Sequence, residues 1–342
     1  MRTVHSEAHR RRAPKTELSG GQFVPPYECP ERVDMILTRL SEVVLGPVEA
    51  PIAHGRAPLE RLHAPAYLEF LEAAWRDWSA EGHIGEAIAY VWPARRMTER
   101  VPNSIEARMG YFSFSADTAI DAGTWEAARA AADVAITAAG FVAGGEHAAF
   151  ALCRPPGHHA ARDMYGGYSF LNNAGLAAQT LLDQGAERIA VLDVDFHHGN
   201  GTQDIFWQRD DVFFASLHGA PEHAFPHFSG YSDESGTGAG EGATLNLPLA
   251  PGTAWEEWSH ALATACNAIA DHGTDALVVS LGADTFENDP ISFFKLRSED
   301  FLRVGSRIAK LGLPTVFVLE GGYAVDALGK NIVNTLEGFE AG

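Results

Sequence analysis

The sequence predicts an α/β fold, a three-layer sandwich in which a mostly parallel central sheet lies between helices. Three largely apolar runs begin at Ile189, Ala276 and Thr315, and each leads directly into polar residues. Continuous apolar runs are typical of strands that are covered on both faces. The downstream half of the chain alternates such runs with helical patterns, which is the signature of three layers. In these sheets the functional crevice lies beyond the carboxyl ends of the strands.

Four segments carry the composition of helices that would pack on this sheet. The first is rich in small residues, which suit close packing, and Thr124 is a candidate for its N-cap. The predicted helices are 123–140, 173–184, 255–270 and 299–311.

We expect residues 1–342 to form a single domain, because large α/β enzymes often keep this length in one unit. The least regular part is a loop excursion at about 80–117. Long excursions in compact domains are commonly lids, interfaces or functional loops. Trp92, Met97 and Tyr111 within it are either exposed for such a role or packed locally, and the sequence leaves both open.

Charge and cysteine content narrow the function classes. The net charge of −20, from 45 acidic and 25 basic residues, disfavours nucleic acid and favours cationic ligands, although solubility alone also explains it. No stretch is apolar and long enough for a membrane span, and the start lacks the apolar core of a secretion signal, so we expect a cytoplasmic protein. Cys29, Cys153 and Cys266 are predicted to be reduced packing residues.

The run from Ile189 ends in a pattern that indicates a metal site. Asp195 and His197 are one residue apart, so their side chains leave the same face of an extended chain, with Asp193 one step deeper. Asp284 ends the run from Ala276. A single aspartate after a strand is usually a turn former, but several strand ends here carry ligand types. One imidazole and two carboxylates fit Zn²⁺ with an open position, and Fe²⁺ or Co²⁺ suits similar ligands.

The chain resembles the zinc-dependent histone deacetylase superfamily, and most closely its bacterial acetylpolyamine amidohydrolases. The likeness is carried by an ordered set of motifs, which is far more specific than any one of them. They are PER at 30–32, LHAPAYLEF at 62–70, RPPGHH at 154–159, GGYSFLNN at 166–173 and EGGY at 320–323.

The resemblance implies amide hydrolysis at a zinc ion held by Asp195, His197 and Asp284. His159 is the candidate general base and acid, and Tyr323 the hydrogen-bond donor to the oxyanion.

The resemblance also assigns residues that assist the two histidines. His158 is the electrostatic neighbour, oriented by Asp193, while Asn200 orients His159. Where some relatives have Asp, the neutral Asn200 is expected to lower the pKa of His159 relative to theirs.

Six residues match substrate-binding positions of the resembled enzymes. Tyr168 and Phe225 match aromatic walls around an alkyl chain, unless they are core residues. Gly167 matches a backbone contact, unless it serves only turn geometry. Asp117 has the alternative of a helix-start charge. The acidic positions associated with a distal amine are Glu17, Glu106 and Asp117.

Further implications of the resemblance are structural potassium and a homodimer whose 80–117 insertion narrows the active site. One potassium site would use Asp193, Asp195, His197, Ser216 and Leu217, and a second the main-chain carbonyls of Phe206, Arg209 and Val212. The expected activity is deacetylation of small cationic acetylated polyamines or diamines. Deacetylation of acetyllysine in proteins is the alternative, ahead of an inactive binding protein and of two-metal ureohydrolase chemistry.

Overall fold

The computed structural model describes Met1–Gly342 and contains one eight-stranded sheet and one small hairpin. The strands of the sheet are β1 (Arg2–Val4), β4 (Val48–Glu49), β5 (Ala148–Ala151), β6 (Ile189–Asp193), β7 (Val212–Gly219), β8 (Thr244–Leu249), β9 (Ala276–Leu281) and β10 (Thr315–Leu319). The antiparallel hairpin is formed by β2 (Glu17–Ser19) and β3 (Gln22–Val24).

Helices occupy both faces of the sheet. They are α1 (Glu31–Val43), α2 (Ala57–Glu60), α3 (Pro65–Ala80), α4 (Ile105–Tyr111), α5 (Thr124–Ala143), α6 (Asn173–Asp183), α7 (Asn200–Phe206), α8 (Trp255–His272), α9 (Ser298–Ala309) and α10 (Val325–Glu340).

The strand order in the sheet is β4-β1-β5-β10-β9-β6-β7-β8, and every pairing in it is parallel. The prediction of a mostly parallel central sheet is therefore confirmed. Because the strands are parallel, the segments that follow β5, β10, β9 and β6 all emerge at one edge.

Two apolar cores explain why the strand sequences are continuously hydrophobic. Ile189 and Val191 pack in one core with residues of α3, α5 and α6. Their neighbours Ala190 and Leu192 pack in the other with residues of α1, α8, α9 and α10. Alternate side chains thus enter opposite layers, as the pleat of a strand requires.

The four predicted helices are present as α5, α6, α8 and α9, with ends shifted by a few residues. The N-cap assigned to α5 is wrong. Gly123 occupies that position, and Thr124 is the first helical residue. The Thr124 hydroxyl instead donates to Asp121 Oδ1 at 2.8 Å, and so it joins the helix to the preceding loop.

The 80–117 excursion is mostly irregular, and α4 is its one helix of more than a turn. Trp92 and Tyr111 pack against the first core, and Trp92 Nε1 donates to Ser113 Oγ at 3.0 Å. Met97 is exposed. The local-packing interpretation therefore holds for the two aromatic residues and fails for the methionine. None of the helices combines the length and apolar character required to cross a bilayer.

Candidate active site

The polar residues that follow the central strands meet at the carboxyl edge of the sheet. Parallel neighbours place the segments after β5, β10, β9 and β6 side by side. The titratable side chains they contribute are His158 and His159 after β5, Glu320 and Tyr323 after β10, Asp284 after β9, and Asp193, Asp195 and His197 at the end of β6.

Asp195, His197 and Asp284 form a buried cluster of ligand atoms. One such atom from each residue lies within 4.8 Å of the other two. His197 Nδ1 is 3.0 Å from Asp284 Oδ2 and 3.4 Å from Asp195 Oδ1. Backbone groups fix the carboxylates, since Phe196 N donates to Asp284 Oδ1 at 2.8 Å. The sequence-predicted triad is thus brought together.

The electrostatics of this cluster fit a bound cation. Burial and the Asp195 carboxylate raise the pKa of Asp284 to about 8. Although burial opposes it, hydrogen bonds that His197 donates to the Asp195 and Asp284 carboxylates raise the pKa of His197 to about 10. Two buried carboxylates therefore demand positive charge, which a divalent ion supplies. A Cβ atom on Gly282 would clash with Asp195, so a glycine at this position allows the Asp195 carboxylate to pack against the backbone.

The two histidines after β5 are oriented by different partners. His158 Nδ1 lies 2.9 Å from Asp193 Oδ2, and His159 Nδ1 lies 2.7 Å from Asn200 Oδ1. With the amide oxygen accepting from Nδ1–H, the Nε2 atom of His159 is left as a proton acceptor. Both expected pairs are present.

The pKa values of these histidines move in opposite directions. Burial disfavours the charged form of His158, but Asp193 and Asp195 outweigh it and raise its pKa to about 10. Burial, followed by the positive charges of His158 and His197, holds the pKa of His159 well below its usual range. The Asn200 hydrogen bond opposes that decrease, so burial is its main cause.

Tyr323 is held at the edge of this cluster by its backbone. Its N–H donates to Asp289 Oδ2 at 2.7 Å. Arg32 donates to the carbonyl oxygens of Gly322 at 2.7 Å and Glu320 at 2.6 Å. The Arg32 guanidinium also lies 4.9 Å from the centre of the Tyr323 ring.

A cavity of 310 Å³ opens beside the cluster and is lined by His159, His197 and Tyr323. Five of the six residues assigned to substrate binding also line it: Glu17, Asp117, Gly167, Tyr168 and Phe225. Phe225 stacks on Phe114 with ring centres 5.7 Å apart, a pairing that sequence reasoning did not anticipate.

Gly167 lies at the cavity and also adopts a turn conformation, so its place agrees with both alternatives, a backbone contact to substrate and turn geometry. Its φ of +53° lies in the left-handed region, and a Cβ atom would clash with the His159 ring. Its N–H donates to Ser115 Oγ at 3.2 Å and Asp117 Oδ1 at 3.3 Å. Glycine here therefore permits both a turn and the close approach of His159.

The three acidic residues assigned to amine recognition do not share one location. Glu17 is buried, and its carboxylate accepts hydrogen bonds from Tyr168 Oη and Tyr27 N, each at 3.0 Å. Burial raises the pKa of Glu17. Asp117 lies in a loop seven residues before α5, so the helix-start interpretation is wrong. Glu106 does not line the cavity of its own chain and lies 3.7 Å from His83 Nε2.

The sequence and the fold were compared with those of known proteins. The family model of the histone deacetylase domain matches residues 26–339. The chain belongs to the histone deacetylase family. It is 54% identical to acetylpolyamine amidohydrolase 1 of Pseudomonas aeruginosa and to the acetylpolyamine amidohydrolase of Mycoplana ramosa, with 99% of each chain covered in both cases. A crystal structure of acetylpolyamine aminohydrolase from Burkholderia pseudomallei superposes with a TM-score of 0.95 at 37% identity, covering 100% of this chain and 99% of that one.

In this member of the histone deacetylase family, sequence reasoning assigned no role to Glu320 or Asp289. Glu320 Oε2 accepts hydrogen bonds from the N–H groups of Gly157 at 2.6 Å and His158 at 3.1 Å. Its position directly after a buried strand was the available signal. Asp289, which accepts from Tyr323 N, lies in a loop and carries no comparable signal.

The residues assigned to potassium lie around two neighbouring strands. Ser216 pairs with Asp193 across β6 and β7, and Leu217 follows it. Phe206 ends α7 and Val212 begins β7, with Arg209 between them. Potassium at these positions stays a prediction, because main-chain carbonyl ligands carry no sequence signature.

Proposed function

We propose that this protein is a zinc-dependent amidohydrolase that removes acetyl groups from small acetylated polyamines or diamines, releasing acetate and free amine. One observation carries the proposal: His197 of the buried metal-ligand triad lines the same cavity as His159 and Tyr323, and the wall of that cavity contains two carboxylates. The 54% identical relatives that bear the name acetylpolyamine amidohydrolase support the same substrate class.

In this proposal Asp195, His197 and Asp284 hold the metal ion. Zinc suits an open site of one imidazole and two carboxylates, and Fe²⁺ or Co²⁺ is compatible with the same donors. When bound, the ion acidifies a water molecule and polarises the substrate carbonyl.

The other side chains complete the hydrolysis. His159 accepts the proton of water as its oxygen adds to the carbonyl carbon, and returns a proton to the amine nitrogen as the C–N bond breaks. Asn200 holds the ring for both transfers. His158, oriented by Asp193, is the electrostatic neighbour of the reacting group, and the Tyr323 hydroxyl donates a hydrogen bond to the oxyanion of the intermediate.

The cavity wall supports a preference for slender cationic substrates. Tyr168 and Phe225 would contact the alkyl chain, while Glu17 and Asp117 would attract the distal ammonium group. Two unit charges about 4 Å apart at an effective dielectric near 20 interact by roughly 4 kcal/mol before desolvation, so one carboxylate is enough to affect selectivity.

Potassium, a homodimer and a cytoplasmic location are further parts of the proposal. The buried Ser216 beside Asp193 supports the first, and the exposed side chains of the excursion support the second. The three free cysteines are compatible with a reducing compartment.

A kinetic comparison of acetylputrescine, acetylcadaverine, acetylspermidine and an acetyllysine peptide tests the substrate class. We expect kcat/KM to be highest for one of the three amines. A higher value for the peptide would favour the protein deacetylase instead.

Metal removal tests the reaction class. Chelation should abolish hydrolysis, and added zinc or cobalt should restore it. Asp284→Ala should lose the ion, as measured by elemental analysis, whereas the surface variant Asp326→Ala should keep it. Full turnover by verified metal-free protein would refute the assignment.

A further inference from the structure

A second group of metal-ligand types lies near the N-terminus, outside the proposed catalytic cluster. His5 follows β1, and Glu7 and His9 lie in the short 3-10 helix Glu7–Arg11. One ligand atom from each of these residues lies within 4.8 Å of the others. The two imidazole rings have their centres 5.1 Å apart.

The hydrogen bonding of this group is incomplete. His9 is 2% exposed, yet neither of its ring nitrogens has a hydrogen-bond partner. His5 is 8% exposed, and its Nε2 atom faces Glu7 Oε1 at 3.4 Å. Buried polar atoms are nearly always paired, so a histidine with two unpaired nitrogens requires an explanation.

Two positive groups near the site, Arg10 and Arg154, both contact carboxylate oxygens other than the one of Glu7 that faces His5. Arg10 Nε donates to Glu7 Oε2 at 2.9 Å and its guanidinium also binds Asp34. Arg154 donates to the His9 carbonyl oxygen at 2.7 Å, and it shares the Glu28 carboxylate with Arg12 and Arg32. Glu7 Oε1 therefore stays available on the side that faces His5.

We propose that His5, Glu7 and His9 bind a divalent transition-metal ion. Two imidazoles and one carboxylate favour Zn²⁺, Ni²⁺, Co²⁺ or Cu²⁺ over Mg²⁺ and Ca²⁺, which prefer oxygen. Because Glu7 is exposed, water reaches the site and completes the coordination.

The position of the ion indicates what it does. It connects the end of β1 to the 3-10 helix. The His9 carbonyl oxygen of that helix accepts a hydrogen bond from Arg154, which begins the segment that leads to His158. Its role is to stabilise this segment, and no step of the hydrolysis uses it.

The test is a titration of holoenzyme, already loaded with its catalytic zinc, with additional Zn²⁺ followed by calorimetry and elemental analysis. Wild-type protein should bind one further ion and its Tm should rise. Glu7→Gln changes an exposed side chain, so it should fold, and it should weaken binding by about a hundredfold, since even losing an outer-shell partner costs roughly 10–100-fold. His9→Gln should abolish binding.

Two further variants separate a specific site from adventitious binding. Arg10→Gln frees the Glu7 carboxylate of its competing cation and should tighten binding several-fold. His260→Gln removes an exposed histidine of α8 and should leave binding unchanged. The proposal is overturned if wild-type protein binds no further ion, or if Glu7→Gln and Arg10→Gln both titrate like wild type.

Discussion

The Tyr323 ring is positioned by contacts to its own loop, and its hydroxyl is not needed to hold it there. Asp289 accepts a hydrogen bond from the Tyr323 backbone N–H, and Arg32 donates to the carbonyl oxygens of Glu320 and Gly322. Removing the hydroxyl should therefore leave the loop in place.

Tyr323→Phe should keep its metal and its fold but lose turnover. Deleting one oxyanion donor typically costs about 2.7–4 kcal/mol, which corresponds to roughly 10²–10³-fold in kcat. Steady-state kinetics and elemental analysis measure the two properties, with Tyr231→Phe, which changes a tyrosine outside the cavity, as the matched control. A Tyr323→Phe enzyme with wild-type kcat would remove this residue from the mechanism.

Glu17→Gln should raise KM for acetylputrescine or acetylcadaverine more than for an uncharged acetylated alkylamine of equal length. Glutamine preserves the shape of this buried side chain, removes the charge and replaces one acceptor oxygen by a donor NH₂ group. Glu256→Gln provides the comparison, because Glu256 is exposed on α8 and does not line the cavity. An equal rise for charged and neutral substrates would mean that Glu17 positions the loop instead of binding the amine.

Among the elements, the N-terminal segment, α1 and the loop after β5 are joined by one buried carboxylate. Glu28 lies 2.7 Å from Arg12, 2.7 Å from Arg154 and 3.3 Å from Arg32. Burial would raise the pKa of Glu28, but Arg154, Arg12 and Arg32 outweigh it and lower the pKa to about 2. The ion cluster therefore stabilises the folded state most when Glu28 is charged.

This cluster should make the free energy of unfolding depend on pH in acid. The pKa of Glu28 is lower in the folded than in the unfolded protein, so its contribution is present above about pH 5 and is lost as pH falls towards 2. A shift from 4.5 to about 2 corresponds to about 3 kcal/mol. Glu28→Gln should lower stability at pH 7 by about 3–5 kcal/mol and flatten the acid dependence.

Denaturant titrations from pH 7 to pH 3 measure both effects. Glu31→Gln, at the start of α1, is the nearby control. A Glu28→Gln variant with the wild-type slope below pH 5 would show that other carboxylates cause the acid instability.

The elements differ in how well the sequence predicts them. The runs at Ile189, Ala276 and Thr315 were recognisable because burial on both faces leaves a continuous apolar pattern. Their polar ends correctly indicated that Asp195, His197 and Asp284 lie close together. The N-cap at Thr124 was wrong because the Arg11 backbone packs so closely on Gly123 that only glycine fits there, and the helix begins one residue later at Thr124. The place of Glu106 was unpredictable, since its helix α4 follows an irregular loop whose path depends on long-range contacts.

At the scale of the whole molecule, we propose that residues 1–342 form one domain. Strand β1 pairs with both β4 and β5, and α1 packs against α10 near the other end of the chain. The 80–117 excursion presents Ile84, Tyr90 and Met97 to solvent, with exposures of 98%, 60% and 63%. Exposed apolar side chains clustered in one segment are typical of an interaction surface.

We expect a homodimer in which this excursion restricts access to the cavity. Light scattering should give twice the chain mass, and Ile84→Glu combined with Met97→Glu should yield monomers with weaker discrimination against acetyllysine peptides. The charge-neutral pair Ile84→Ala and Met97→Ala serves as the comparison. A monomeric wild-type protein with undiminished selectivity would separate the specificity from any interface.

The order of strands in the sheet has a consequence for how the protein reaches its active state. β10 lies between β5 and β9, although about half the chain separates it from β5. His158 and Tyr323 therefore meet only after contacts of very long sequence separation have formed. Such contacts form slowly, because the entropy cost of closing a long loop comes before any stabilising contact is made. An incompletely synthesised chain that ends before β10 lacks the middle of the sheet as well as the tyrosine. The chain therefore becomes catalytically competent late in folding, when β10, its last strand, inserts between β5 and β9.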